Sequence, residues 1–328
     1  MRQRRAFAAI LVLGLIALAV APWLGTEDVG WTDVWGGGSA LKGDIFWKLR
    51  LPRVLTAFLA GCGLALGGAA FQALFRNPLA EPFTLGVSSG ASAGVALALF
   101  LGGGTVLGGY VSLENVFGFA GALTAIAVVY SFSRLRTDFS AATLLLAGVA
   151  VNFFFSSLIM LLQHLVDPHN AARIIRATIG GIAAAGQRHL LLSLPFVLLG
   201  AVLTGAHSRE LDILSFGEET ALARGVETGR VRRRLFIGVS LMVGGITALC
   251  GPVGFVGLVS PHICRRLLGP AHRFLLPASA VFGGAFLVLA DLVGKTVIAP
   301  SELPVGIVSS LCGAPFFLWI LLKSGRRN

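Results

Sequence analysis

The sequence predicts an all-α integral membrane protein, a polytopic bundle of about ten transmembrane helices with short cytoplasmic helices. Hydrophobic residues make up 55% of the 328 positions and charged residues only 12%. Mean hydropathy is +0.85, far above the values of soluble proteins. The apolar residues also form long runs separated by short polar intervals, as membrane-spanning helices require.

These apolar runs define ten predicted spans within a single transmembrane domain that covers residues 1–328. The first run follows a basic start like that of a signal peptide, but it is long enough to span and many spans follow it. We therefore interpret it as a retained helix. The eighth span is short and interrupted by Gly and Pro. The ranges are 6–24, 54–75, 84–102, 115–132, 141–163, 189–206, 232–250, 253–268, 274–297 and 305–323.

The distribution of basic residues predicts the orientation in the membrane. An even number of spans puts both termini on one side. With the termini inside, 18 of the 26 Lys and Arg residues are cytoplasmic, as the positive-inside rule expects. This placement of the basic residues beside a lipid bilayer explains the net charge of +11, so the charge does not indicate a nucleic-acid partner. We expect a multi-pass protein with a cytoplasmic N-terminus and a cytoplasmic C-terminus.

Glycine is abundant, at 43 residues, and is concentrated inside the spans, for example at 61–70 and 283–286. Small residues let helix backbones approach closely in lipid, where packing drives association. The sequence therefore predicts a tightly packed helical bundle.

No catalytic, cofactor or metal site is predicted. Gly294-Lys295-Thr296 has the form of a P-loop tail, but the position where a P-loop needs its first glycine is Leu289. The six His and four Cys residues show no ligand spacing. An intramembrane enzyme or a scaffold would need a convergent polar set that the sequence does not show. Asp291 and Lys295 share a helix face and could form a purely structural pair.

The longest polar interval runs from His207 to Arg234 and is called the polar segment. Ser215 and Glu218 have capping-box spacing, Glu218 and Glu219 suit a helix N-terminus, and Gly225 can end the helix. These features predict a short helix at the membrane surface. Two interpretations stay open: an ordinary loop with one helical turn, or a docking platform for a soluble partner.

A second irregular stretch lies between the second and third spans, where Asn77, Pro78, Leu79, Glu81 and Pro82 predict a tight turn. Broken backbone survives at membrane depth where it is buried in protein or lines a cavity.

Five blocks of the sequence resemble one family, the FecCD-type permeases. These are transmembrane subunits of type II bacterial ABC importers for ferric siderophores, haem and cobalamin. The resemblance implies a homodimer in the inner membrane that encloses one path. It also implies two ATP-binding subunits that carry ATP and Mg, and an extracytoplasmic substrate-binding protein. The blocks are residues 50–94, 144–152, 214–226, 251–280 and 302–323.

The resemblance also implies roles for individual residues. Within 207–230, the coupling helix that contacts the ATPase would include Ser215, Gly217, Glu218, Glu219, Ala221, Leu222 and Gly225. The cytoplasmic gate would consist of Asn77, Leu79, Ser140 and Ala141. The binding protein would dock on Arg50 and Lys295. The sequence departs from the family at 176–182, which lacks a common Trp, and at Ala141, where a hydroxyl is common.

The cargo implied by the resemblance is a metal chelate, most commonly a ferric siderophore, with haem or cobalamin as alternatives. A secondary transporter driven by an ion gradient is a different class of function. That class predicts several carboxylates at mid-membrane depth, and only Asp291 lies near the interior of a span.

Overall fold

The architecture is helical and is seen in a computed structural model that describes residues 2–103, 105–106, 111–135, 141–182 and 187–325. Helices at all ten predicted spans are present in this part of the chain. In chain order the helices are α1 Arg2–Val20, α2 Trp31–Val34, α3 Ala40–Asp44, α4 Leu51–Leu74, α5 Val87–Phe100, α6 Leu113–Leu135, α7 Ala141–Leu165, α8 Pro168–Ile179, α9 Gln187–Ala206, α10 Ser208–Leu214, α11 Glu218–Ala223, α12 Thr228–Cys250, α13 Val256–Leu268, α14 His272–Thr296 and α15 Val305–Gly325.

The helices differ in how clearly they qualify as membrane spans. Among the described residues, seven are long and apolar enough to cross a bilayer by length and composition, and α5 and α15 contribute shorter apolar stretches. The remaining predicted span, α13, has 13 residues with Pro261 inside it. The polytopic helical fold is therefore confirmed, with α5 and α13 shorter than a simple crossing requires.

Helix α4 forms the centre of the bundle and contacts α9, α12, α13 and α14. Two of its glycines make this packing possible. A Cβ atom added at Gly61 would overlap the carbonyl oxygen of Gly283 in α14, and one added at Gly68 would overlap that of Gly257 in α13. The close packing predicted from glycine content is thus present as direct contact between helix backbones.

Helix α14 connects the two ends of the bundle. At its N-terminus His272 contacts Asp212 of α10, with 2.6 Å between Nδ1 and Oδ1. Near its C-terminus Asp291 contacts Arg53 of α4. With a rise of 1.5 Å per residue, these contacts lie about 28 Å apart, which is close to the thickness of a hydrocarbon core. The polar segment and the Arg53 region therefore lie at opposite ends.

Residues 21–50 join α1 to α4 and hold a cluster of aromatic rings. A 3₁₀ turn at Ala21–Trp23, α2, α3 and a π-helical turn at Ile45–Arg50 make up this connection. The ring of Trp23 stacks on that of Trp31, with centroids 4.3 Å apart, and Trp35 meets Trp47 edge to face at 6.2 Å.

Besides the short helices of residues 21–50, a pair of short strands and one further helix were not predicted from the sequence. Between α5 and α6, the two-residue strands β1 (Thr105–Val106) and β2 (Val111–Ser112) pair antiparallel. Helix α8 follows α7 and is capped by Asp167, whose carboxylate accepts the N–H groups of His169 and Asn170 at 2.9 and 3.2 Å. Because α8 is amphipathic rather than apolar, hydropathy alone does not reveal it.

Candidate functional site

The predicted irregular turn is present between α4 and α5, and residues 75–86 are called the gate turn. Asn77 shapes it: its Oδ1 accepts the backbone N–H of Leu79 at 2.9 Å, and its carbonyl oxygen accepts that of Ala80 at 3.1 Å. Arg76 adopts a left-handed conformation with φ of 49°. The side chain of Asn77 is therefore used to fold the turn, while Leu79 stays half-buried.

The gate turn is attached to α13 by buried polar contacts. Glu81 is 4% exposed and accepts a hydrogen bond from the backbone of Phe255, which precedes α13 and has φ of 67°. Gln72, at the end of α4, donates from Nε2 to the carbonyl oxygen of Gly257 at 3.2 Å. The carboxyl group of Glu81 therefore joins the gate turn to the residue that precedes α13.

The second predicted constriction falls at the edge of the described chain. Ser140 lies outside the described residues, and Ala141 is the first residue of α7. The gate assignment of these two residues stays a prediction.

The polar segment forms the predicted short helix, but its N-terminal cap differs from the prediction. Ser215 Oγ donates to the carbonyl oxygen of Asp212 at 2.6 Å, and Gly217 occupies the N-cap position of α11. The predicted capping box of Ser215 and Glu218 is therefore wrong, because Ser215 ends α10 instead of starting α11. Glu218 binds Thr228 Oγ1 at 3.2 Å and Arg232 at 3.1 Å, which ties α11 to α12.

The predicted C-terminal end of the short helix is confirmed. Gly225 has φ of 75° and donates its N–H to Leu222 O at 2.9 Å, and Val226 donates to Ala221 O at 2.9 Å. These two bonds form a Schellman motif, which glycine in a left-handed conformation favours. The short helix thus ends through a defined local structure.

The exposed surface at α11 combines two large apolar side chains with one carboxylate and does not include every residue expected to contact a partner. Ala221 is fully buried, so a direct ATPase contact by this side chain is wrong for this conformation. Phe216 and Leu222 are instead 75% and 57% exposed, and Glu219 is exposed between them. We call Phe216, Glu219 and Leu222 the α11 face. Phe216 was not among the residues predicted from the sequence, although an apolar residue inside a polar interval could have indicated it.

The opposite end of the bundle carries an ion-pair network centred on Arg53. Its Nε and Nη2 atoms donate to the two carboxylate oxygens of Asp291, both at 2.9 Å. Its Nη1 atom donates to Glu302 at 2.9 and 3.1 Å. The predicted pairing of Asp291 with Lys295 is therefore wrong, because a bidentate guanidinium from another helix takes both oxygens. Arg53 lies 238 positions away in sequence from Asp291.

The two basic residues expected to dock a binding protein are buried. Arg50 is 9% exposed and Lys295 is 6% exposed. Arg50 donates to the carbonyl oxygens of Trp23 and Glu27, which ties residues 21–30 to the start of α4. The expectation of exposed docking charges at these positions is wrong in this conformation, because both side chains are buried.

A cavity of about 630 Å³ opens beside Arg53. Its lining includes the ion pair of Glu114 with Arg173, in which Oε1 and Nη2 lie 3.4 Å apart. In the described part of the chain, no group of three or more His, Cys, Asp or Glu side chains is arranged to hold a metal ion.

Comparison with known proteins identifies relatives along nearly the whole chain. The uncharacterized ABC transporter permease protein YvrB of Bacillus subtilis (strain 168) is 41% identical over 99% of this chain and 96% of its own. The hemin transport system permease protein HmuU of Yersinia pestis is 34% identical, with 98% and 96% covered. The vitamin B12 import system permease protein BtuC of Salmonella arizonae is 37% identical, with 99% and 97% covered.

A solved structure has the same fold. It is described as an inward-facing conformation of a metal-chelate type ABC transporter, and it superposes with a TM-score of 0.86 at 30% identity, over 98% of this chain and 99% of that one. The FecCD transport family matches residues 9–323. This range includes the gate turn, the polar segment and the Arg53 network. The chain therefore belongs to the FecCD transport family of ABC transporter permeases.

Proposed function

We propose that this chain is the transmembrane subunit of an ABC importer that moves a metal chelate across the bacterial cytoplasmic membrane. The observation that carries the proposal is the family match over residues 9–323 on a helical bundle of the same fold as a metal-chelate type transporter. The relatives named for hemin and vitamin B12 favour a large chelate as cargo. Haem, cobalamin and a ferric siderophore all fit this chemistry.

The energy source in this proposal is a separate ATPase that docks on the α11 face. Exposed apolar side chains at the polar end of a membrane protein are typical of an interaction site. Phe216 and Leu222 provide such a surface, and Gly225 and Glu218 fix its position through the Schellman motif and the contact with α12. The α11 face then lies on the cytoplasmic side, as do both termini. A second copy of the chain and a second ATPase complete the complex.

The test is ATP-driven uptake by the purified complex in proteoliposomes. We expect Leu222→Asp to reduce ATP-dependent uptake by at least tenfold, because a charge replaces an apolar contact at the ATPase interface. The matched control is Leu101→Asp, since Leu101 is also 57% exposed but lies at the other end, shortly before β1. Uptake that needs an ion gradient and no ATP would contradict the proposal and favour a secondary transporter.

Within this importer, the gate turn closes the cytoplasmic end of the path together with the start of α7. Leu79 is the half-buried apolar side chain that the Asn77 turn presents, and Ser140 and Ala141 would form the second constriction. Leu79→Cys in both copies should crosslink across the dimer axis when the gate is shut, with a yield that changes on ATP binding. A yield of zero in every nucleotide state would place this turn away from the path.

The docking of an extracytoplasmic binding protein belongs to the same proposal, at the end that carries Arg53. Arg50 and Lys295 are not proposed as contacts of the binding protein, since both side chains are buried.

A further inference from the structure

Helix α7 is joined to the gate turn by a single amide side chain, that of Asn152. Its Nδ2 atom donates to the carbonyl oxygen of Thr84 at 3.3 Å. Its Oδ1 atom accepts the hydroxyl of Ser89 at 2.7 Å. Thr84 lies in the gate turn and Ser89 in the first turn of α5, so both polar ends of Asn152 are used by the same neighbouring segment.

The backbones of the two segments are also in direct contact around this amide. A Cβ atom added at Gly148 of α7 would lie 2.5 Å from Thr84 O. Gly86, with φ of 84°, would place an added Cβ 2.7 Å from Val151 Cγ1. Because α7 packs directly on the backbone of residues 84–86, a displacement of either segment would break the Asn152 contacts.

An amide inside an apolar helix needs a specific reason. The helix α7 consists mainly of Leu, Val, Phe and Ala around Asn152, and an unpaired amide in such surroundings is costly. Since both of its hydrogen-bonding ends face one partner, Asn152 favours the arrangement in which α7 and the gate turn stay together. Thr84 is itself held by Glu81, whose carbonyl oxygen accepts the Thr84 hydroxyl at 2.7 Å.

We propose that Asn152 locks the gate turn to α7, so that the constriction at Leu79 and the constriction at the start of α7 open and close as one unit. Asn152 is a positioning residue in this scheme and does not itself contact the cargo. The inference rests on the proposed function, because the two constrictions are gates only in a transporter. It deepens that function by naming the residue that makes the two constrictions open and close together.

The experiment follows each constriction separately in the complete complex in nanodiscs. Single cysteines at Leu79 and at Ala141 are introduced into a Cys312→Ser background, since Cys312 is an exposed thiol. The rate of labelling by a hydrophilic maleimide is measured at each position across ATP concentrations. Each reporter is combined with Asn152→Leu, which keeps the number and branching of the side-chain heavy atoms but removes both hydrogen bonds, and with Ser89→Ala or Ser89→Thr.

In the unsubstituted background, we expect the two positions to change labelling rate with the same ATP midpoint. Interhelical polar contacts in lipid each contribute a factor of about three on average. Ser89→Ala should therefore reduce the ATP-dependent change at position 79 about threefold relative to that at 141, and Asn152→Leu about tenfold. Ser89→Thr should restore it, because the hydroxyl is kept. Thr124→Val is the control, since the Thr124 hydroxyl donates to the Ala120 carbonyl oxygen of its own helix on an exposed face of α6.

Two results would overturn the inference, and only the second would also overturn the proposed gates. Synchronous changes at 79 and 141 in Asn152→Leu would reject the lock and leave the proposed importer standing. The absence of any ATP-dependent change at either position in the unsubstituted background would reject the gates themselves, and with them the lock.

Discussion

The ion pair between Arg53 and Asp291 gives the sharpest test of how this bundle is stabilised. The two side chains are 13% and 4% exposed, and both carboxylate oxygens of Asp291 are bound by Arg53. Arg53 has a second carboxylate partner in Glu302, whose side chain is 39% exposed. The two members of the pair therefore depend on each other unequally.

This inequality predicts the order of the effects. Removing one member of a buried pair costs about 3–5 kcal/mol, because the other charge stays buried without a partner. Arg53→Met strips Asp291 of its bound donors, so we expect a loss near the upper figure. Asp291→Leu leaves Arg53 bound to Glu302, and a hydrogen bond to a charged group retains about 1.5–3 kcal/mol. The expected loss for Asp291→Leu is therefore about 2 kcal/mol.

The double variant completes the cycle. Arg53→Met with Asp291→Leu removes both charges and replaces them by apolar groups, which in buried sites is often close to neutral. The free energy of unfolding, measured by SDS titration in mixed micelles, should return to within about 1 kcal/mol of the original value. Lys48→Met is the control, since Lys48 and Asp44 form a pair with side chains 70% and 58% exposed, worth at most about 1 kcal/mol.

Two outcomes would refute this reasoning. Additive single effects would show that the two charges are not energetically coupled. An Arg53→Met variant no less stable than Asp291→Leu would show that Lys295, one turn along α14, satisfies Asp291 in its place.

Three further predictions concern backbone geometry and capping. Gly68→Ala should lower the free energy of unfolding by about 1–3 kcal/mol, because the added Cβ would push α4 away from α13. In the same SDS titration, the control Gly205→Ala should be near neutral, since its added Cβ meets no atom within 4 Å. Gly225→Ala should reduce ATP-dependent uptake and destabilise the end of α11 by about 1 kcal/mol through its positive φ alone, since an added Cβ meets nothing within 4 Å. The control is Gly229→Ala, which lies within α12, is equally uncrowded and should preserve uptake. Equal loss of uptake in both variants would contradict the capping role. The hydrogen bond from the Asn170 N–H, followed by that from the Asn170 side chain, lowers the pKa of Asp167, so its capping contribution is present at neutral pH and lost as the pH falls through this lowered pKa. Hydrogen exchange of α8, corrected for the intrinsic rate, should show this acid-induced opening, and Asp167→Asn should abolish its pH dependence.

The positions of the membrane helices could be predicted because a span leaves a simple record in the sequence. About 20 consecutive apolar residues are needed to cross the bilayer, and the polar intervals between them are equally visible. The same argument fails for α8, which is short and amphipathic, and for the short helices of residues 21–50. Their stability depends on contacts with the rest of the protein, which hydropathy does not report.

The partners of polar side chains were harder to predict than the spans. Local spacing suggested Asp291 with Lys295, but the bundle brings Arg53 from a distant helix to Asp291. Spacing also suggested Ser215 with Glu218, but Ser215 bonds the preceding helix. In the six-residue helix α11, periodicity is too short to distinguish the buried Ala221 from the exposed Leu222. Each error arose where a local pattern was compatible with two arrangements and tertiary contacts selected the other one.

Because of the aromatic cluster of residues 21–50, the intrinsic fluorescence of the protein reports mainly on one end of the helical bundle. Four of the five tryptophans lie there, at positions 23, 31, 35 and 47, and the fifth is Trp319 on α15. Intrinsic emission is therefore weighted towards events at the Arg53 end, with only Trp319, beside Arg266, towards the other end. A cargo that absorbs in the range of tryptophan emission, as haem does, would quench this signal on arrival, so that the approach of the cargo could be timed without attaching a dye.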